Sequence, residues 1–123
     1  MTDSIAIQDK MRIIQEIVPG RQVTLAHIIA SPEKILYEKL GLDPRLDYEK
    51  SAIGITTVSP SETAIIMADV AMKSSGITLG FVDRFSGALI FTGTVSEVQA
   101  GIEALLTYVQ KKLGYSVCEI TKT

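Results

Sequence analysis

Apolar residues recur near the end of the chain at Val98, Ile102, Leu105, Leu106, Val109 and Leu113. That i, i+3, i+4, i+7 spacing puts them on one stripe of a helix. Thr94-Val95-Ser96-Glu97 ahead of the stripe has the form of a capping box, and Gly114 is placed to stop the helix. A second helical pattern runs through Ala64, Ile65, Ala68, Ala71 and Met72. Ser59-Pro60-Ser61-Glu62 reads as its capping box, with Ser59 at the N-cap and Pro60 in the first turn, and Gly76 reads as a left-handed stop. A shorter helix is expected from Ser31-Pro32-Glu33, carrying Ile35, Leu36 and Leu40 and ending at Gly41.

Strand-like runs fill the spaces between: residues 22–30, 52–58, 77–82, 88–94 and 115–121. The tight turn Asp83, Arg84, Phe85, Ser86, Gly87 makes two of them a hairpin. From residue 52 onward the order is β-α-β-β-α-β, an α+β, ferredoxin-like pattern with an antiparallel sheet and two helices on one face. Residues 22–30 and the helix after them form an additional β-α unit in front. Residues 42–50 are mostly polar, hold Pro44, and read as a surface loop. Ile13, Ile14, Gln15, Glu16, Ile17 and Val18 read as one more strand, cut off by Pro19-Gly20. Neither of its faces is cleanly polar, so it needs neighbours on both sides.

At 123 residues the chain is one domain by length, with 46% hydrophobic residues and a mean hydropathy of +0.28. So small a domain spends much of its sequence on surface, and this much apolar character means either an unusually rich core or apolar surface buried by partners, the second of which points to oligomerisation. A net charge of −2, with both signs scattered, offers no patch for nucleic acid or acidic lipid. The N-terminal stretch lacks a signal-like apolar core, and no apolar run reaches the ~20 residues of a membrane helix. The expectation is a cytoplasmic protein. The single cysteine, Cys118, fits a reducing compartment.

No catalytic constellation emerges. His27 and Cys118 each fall inside an expected strand, where a lone histidine is read as a hydrogen-bonder and a lone cysteine as a small apolar residue. No metal-ligand spacing and no phosphate-binding glycine loop is present, so neither a metal nor a cofactor is expected. Lys73 reads as a helix C-terminal cation, and Met67 and Met72 read as core filler. The 83–87 turn is either an ordinary solvated hairpin or a loop that presents charge to something docking or passing.

Several stretches together carry a resemblance. Ala52-Ile53-Gly54-Ile55, Ala68-Asp69-Val70-Ala71-Met72-Lys73, residues 77–82, Ser86-Gly87 and Gly93-Thr94-Val95 resemble the bacterial microcompartment shell domain, the BMC domain. Leu25-Ala26-His27-Ile28-Ile29-Ala30-Ser31-Pro32-Glu33 looks like that domain's final strand and helix moved to the front, a circular permutation. Residues 14–27 and 80–88 look like the permuted shell proteins of ethanolamine-, propanediol- and choline-utilisation compartments.

The resemblance implies a structural role and no enzymatic one: a homo-oligomer, a hexamer, tiled with other microcompartment shell proteins around enclosed enzymes and controlling metabolite passage. It implies an N-terminal extension over residues 1–12, an axial β-barrel strand over 13–20 and a single permuted BMC domain over 21–123. Ile13, Ile14, Gln15, Glu16, Ile17 and Val18 would cap the six-fold axis, Asp83, Arg84, Phe85, Ser86 and Gly87 would lie beside it, and Lys73 would sit at the shell edge. Ser31 stands where the family usually has an arginine. The alternatives are a small-molecule-binding regulatory module of ferredoxin-like fold and a small enzyme, for which no acid, base or nucleophile set can be named.

Overall fold

The structure, a computed structural model, describes residues 20–123; the strand expected at residues 13–18 lies outside the described residues. Five strands form one sheet: β1 (Gln22–Ile29), β2 (Ala52–Ser59), β3 (Thr78–Val82), β4 (Ala88–Gly93) and β5 (Thr121–Lys122), in the order β3-β4-β2-β1-β5. Without β1, the order of the other four is that of a ferredoxin-like fold. The front unit is therefore not an appendage. β1 occupies the sheet between β2 and β5, antiparallel to the first and parallel to the second, so the sheet is mixed where an antiparallel one was expected.

The layers follow from strand alternation. Ile28, Ala52, Val58, Leu89 and Phe91 face the main core, under helices α2 (Thr63–Ser74) and α3 (Val95–Leu113). A register shift between Val23 and Leu25 turns both Val23 and Ala26 to that side. On the opposite face Ile53 and Ile90 are covered by the short helix α1 (Lys34–Lys39) and the following loop, through Tyr37, Leu36, Leu40 and Leu42. The Tyr37 and Tyr48 rings stack with centroids 4.4 Å apart, and their hydroxyls donate to Ser51 O (2.9 Å) and Asp43 O (2.8 Å). Both hydroxyls thus hold the 42–51 loop on the sheet.

The α3 boundaries match the expected ones. Glu97 N–H donates to Thr94 Oγ1 (3.1 Å), Thr94 N–H donates to Glu97 Oε1 (2.9 Å), and Gly114 is left-handed at φ 74°. The α2 boundaries do not. Ser59 is the last residue of β2, paired with Gln22, so it cannot cap; the N-cap is Glu62, with no side-chain cap bond. At the other end Ser75 is extended, and the last carbonyls accept from serine hydroxyls: Ser74 Oγ to Val70 O (2.6 Å) and Ser75 Oγ to Ala71 O (3.3 Å). Gly76 serves space, because a Cβ there would run into the Glu97 carboxylate of the α3 capping box.

The strand expected at 115–121 is also reduced. Ser116 makes one isolated parallel bridge to Gln22, and regular pairing returns only at Thr121–Lys122. Successive Val117 and Cys118 both pack against the core, which strand alternation forbids.

Candidate functional site

The features to weigh are those that the surface presents. The 83–87 turn joins β3 to β4 as expected, and its own polar groups build it. Asp83 Oδ1 accepts from Phe85 N–H (2.9 Å) and Oδ2 from Ser86 Oγ (2.9 Å), while Ser86 Oγ accepts from Ala88 N–H (3.2 Å). Main-chain bonds close it: Gly87 N–H to Asp83 O and Asp83 N–H to Ala88 O, both 2.8 Å. The Phe85 amide and then the Ser86 hydroxyl hold the Asp83 carboxyl below the usual carboxylate range. Its charge is therefore committed to the turn.

Gly87, at φ +82°, seats the turn on the body of the protein. Val58 N–H donates to Gly87 O (3.2 Å), and no room is left for a side chain against Val58 O. This leaves Arg84 and Phe85 as the presented groups. Phe85 is 81% exposed, with the Arg84 guanidinium carbon 5.0 Å from its ring centroid, a cation–π pair at the tip.

Helix α2 buries its small side chains, Ala64, Ala68 and Ala71, together with Thr63 and Met67. Ile65 and Met72, expected in the core, are instead exposed, as is Ile66. The signal available in the sequence was the alanine spacing: three alanines at i, i+4, i+7 let the helix lie close to the sheet and turn its bulky residues out. Lys73 is on the outward face. Its Nζ lies 2.8 Å from Asp69 Oδ2, the side chains being 75% and 55% exposed. Bonding to Asp69 raises the Lys73 pKa.

His27 is tied up structurally. Its Nδ1 lies 2.6 Å from Thr121 Oγ1 and its Nε2 2.9 Å from Thr123 Oγ1, so the imidazole joins β1 to the C-terminal residues. Burial raises the pKa of the Cys118 thiol, away from nucleophilic reactivity. A cleft of 560 Å³ lies between α1 and the loop after it, lined in part by Tyr37 and Tyr48, whose hydroxyls are already spent on backbone carbonyls. Among the described residues no group of His, Cys, Asp or Glu could hold a metal ion, and no helix is long and apolar enough to cross a membrane.

Comparison with known proteins decides what such a surface belongs to. The BMC domain model matches residues 52–121, from β2 into β5. The chain is 46% identical over 112 residues to the microcompartment shell protein CutR of Streptococcus intermedius, covering 91% of this chain and 92% of CutR. The chain belongs to the family of bacterial microcompartment shell proteins. The shell protein PduU of Salmonella typhimurium is 47% identical over 112 residues, covering 91% of this chain and 93% of PduU. Among solved structures, a flat hexamer of CutR superposes with a TM-score of 0.78 at 43% identity, covering 86% of this chain and 94% of that one. CutR in a screw form of 41.9 Å pitch superposes with a TM-score of 0.77 at 43% identity, covering 85% of this chain and all of that one. The domain match begins at β2 although β1 lies inside the sheet, between β2 and β5, as the permuted order requires. These relatives are named as shell proteins, none as an enzyme or regulator.

Proposed function

We propose that this shell protein works as a closed ring of six copies that tiles a microcompartment wall in the cytoplasm, next to other shell proteins and around enclosed enzymes. The observation that carries the assembly reading is the superposition, over most of both chains, on CutR, which has been solved as a flat hexamer. In the ring, the 83–87 turn of each copy faces the six-fold axis. Residues 13–18 of the six copies pair into a small barrel over that axis, which gives a two-sided strand both of its neighbours and leaves no free edge. Lys73 lies at the outer rim, where rings meet. Passage of small metabolites is set by what surrounds the axis: the Arg84 and Phe85 side chains and the barrel above them.

The contact geometry, and not the protomer fold, decides between a ring and a spiral. The same backbone fits the flat and the screw forms of CutR almost equally. A heterologous contact closes only when its rotation divides the circle evenly, and a small error winds it into a filament. Electron microscopy and sedimentation of the purified chain test the proposal. Six-membered rings joining into sheets support it; a stable monomer at working concentration refutes it. Deleting residues 1–18 should keep the circular dichroism spectrum of a folded domain and open the axis. Lys73→Ala should weaken sheets and spare rings.

A further inference from the structure

The end of the β3–β4 hairpin away from the 83–87 turn opens into a cleft of 250 Å³ against the 42–51 loop. One wall is a set of threonine hydroxyls. Thr78 and Thr92 are direct cross-strand partners, which puts their side chains about 5 Å apart, on the sheet face that carries Ile53 and Ile90. Thr94 follows two positions later as the N-cap of α3. Its Oγ1 accepts from Glu97 N–H, which leaves its own O–H to donate elsewhere. Thr92 is the decisive residue. It is only 4% exposed, yet it lines the cleft, and its hydroxyl has no hydrogen-bond partner among the described residues. The Thr56 hydroxyl is sealed in the core, whereas that of Thr92 opens on a space another molecule can enter. A nearly buried hydroxyl is costly to leave unpaired, so a polar group in the cleft would complete it.

We infer that this cleft binds a small uncharged polyol, seated by the hydroxyls of Thr78, Thr92 and Thr94. The facing loop decides the charge of the ligand, through Asp47, Glu49 and Lys50. An anion would meet those two acids and, behind Thr94, the Glu97 carboxylate that accepts from Thr94 N–H. A cation would have Lys50 beside it, and Asp47 is already bonded to Glu49 N–H (2.9 Å). Among the described residues no group of acids, His or Cys is arranged to hold a metal ion. An apolar molecule would leave Thr78 and Thr92 without partners. What suits three hydroxyls a few ångströms apart is a molecule bearing hydroxyls at similar spacing, each able to donate and accept. At ~30 Å³ per water the cleft has room for roughly eight waters, which sets the ligand at about that many heavy atoms. A few exchanged hydrogen bonds in an open cleft give weak, reversible binding, on the order of millimolar. The site lies at the other end of the hairpin from Arg84 and Phe85, so it is separate from the turn and does not depend on ring formation.

Methyl NMR of the full-length chain tests this, with erythritol, a tetrol of suitable size, as the probe. Inorganic phosphate and methylammonium are the charged comparisons. Erythritol should move the methyl signals of Thr78, Thr92 and Thr94 along saturating curves and leave that of Thr24, exposed on β1, in place. Thr92→Val keeps the β-branched shape, removes the hydroxyl and should weaken binding about tenfold. Thr78→Val, at an exposed position at the start of β3, should fold without difficulty and do the same. Thr24→Val should leave the erythritol curves unchanged. Shifts that rise linearly without saturation mean that water alone fills the cleft, and they overturn the inference. So does binding that survives both the Thr78 and the Thr92 variants, or saturation by phosphate or methylammonium in preference to erythritol. Each of these results leaves the ring proposal standing.

Discussion

Replacing Gly87 with alanine tests whether the 83–87 turn is seated on the protein body or merely projects from it. Two costs are distinct. The first is conformational: an alanine held at the positive φ of Gly87 costs roughly 1 kcal/mol. The second is steric, because the new Cβ would press on Val58 O, a backbone atom that cannot swing away. Relieving it means lifting the turn and losing the Val58 N–H to Gly87 O bond and the Gly87 N–H to Asp83 O bond, at about 1 kcal/mol each. The whole loss should be about 3 kcal/mol, which for a domain of this size lowers Tm by roughly 10 °C. Gly41→Ala is the control: φ is +72° there too, but nothing lies within 4 Å of the added carbon. It should show only the first cost. Thermal melts of both variants at one protein concentration, with ring content checked by sedimentation, separate the terms. Equal losses would mean that Val58 does not bear on the turn, and the seating argument would be wrong.

Thr56 is fully buried and its hydroxyl has no hydrogen-bond partner. Thr56→Val should therefore raise stability by about 1 kcal/mol at unchanged m-value in urea; a loss would show that the hydroxyl is bonded. His27→Ala should release the C-terminal residues alone. Exchange of the Thr123 amide, bonded to Ile28 O at 2.9 Å, should speed up about tenfold with core amides unchanged, and unaltered protection would contradict the clasp. Asp83→Asn tests the charge in the turn. Because the folded carboxyl titrates below its unfolded value of about 3.9, its contribution is complete above that pH and fades as pH falls through the folded value. The stability gap between wild type and variant should thus narrow below about pH 4, and a pH-independent gap would exclude that linkage.

Features governed by local rules were legible in the sequence. The α3 stripe, its capping box and its glycine stop each depend on neighbours within one or two turns, and all three stand as read. The hairpin turn was equally local. Errors arose where a distant partner outvoted the local pattern. Ser59 has the chemistry of a cap, but its pairing with Gln22 holds it in the sheet. Gly76 stands in a stop position, yet is small for the sake of Glu97, twenty-one positions later. Met72 and Ile65 are apolar and periodic, but the alanine stripe takes the sheet-facing side and turns them out. The family resemblance rested on stretches long enough to survive such local misreadings. The surface chemistry of α2 was hidden because an exposed isoleucine and a buried one look alike until the sheet is present.

The place of β1 in the sheet bears on where the chain enters the fold relative to the 83–87 turn. Gln22, at the start of β1, pairs with Ser59 at the end of β2, and the adjacent Val58 donates to Gly87 of the turn. From strand spacing and rise, the point where the chain enters the sheet is on the order of 10 Å from the turn. The start of β1 therefore lies at the end of the protomer that carries Arg84 and Phe85. A substitution at Arg84 or Phe85 therefore acts at the same end of the protomer as the first residues of β1.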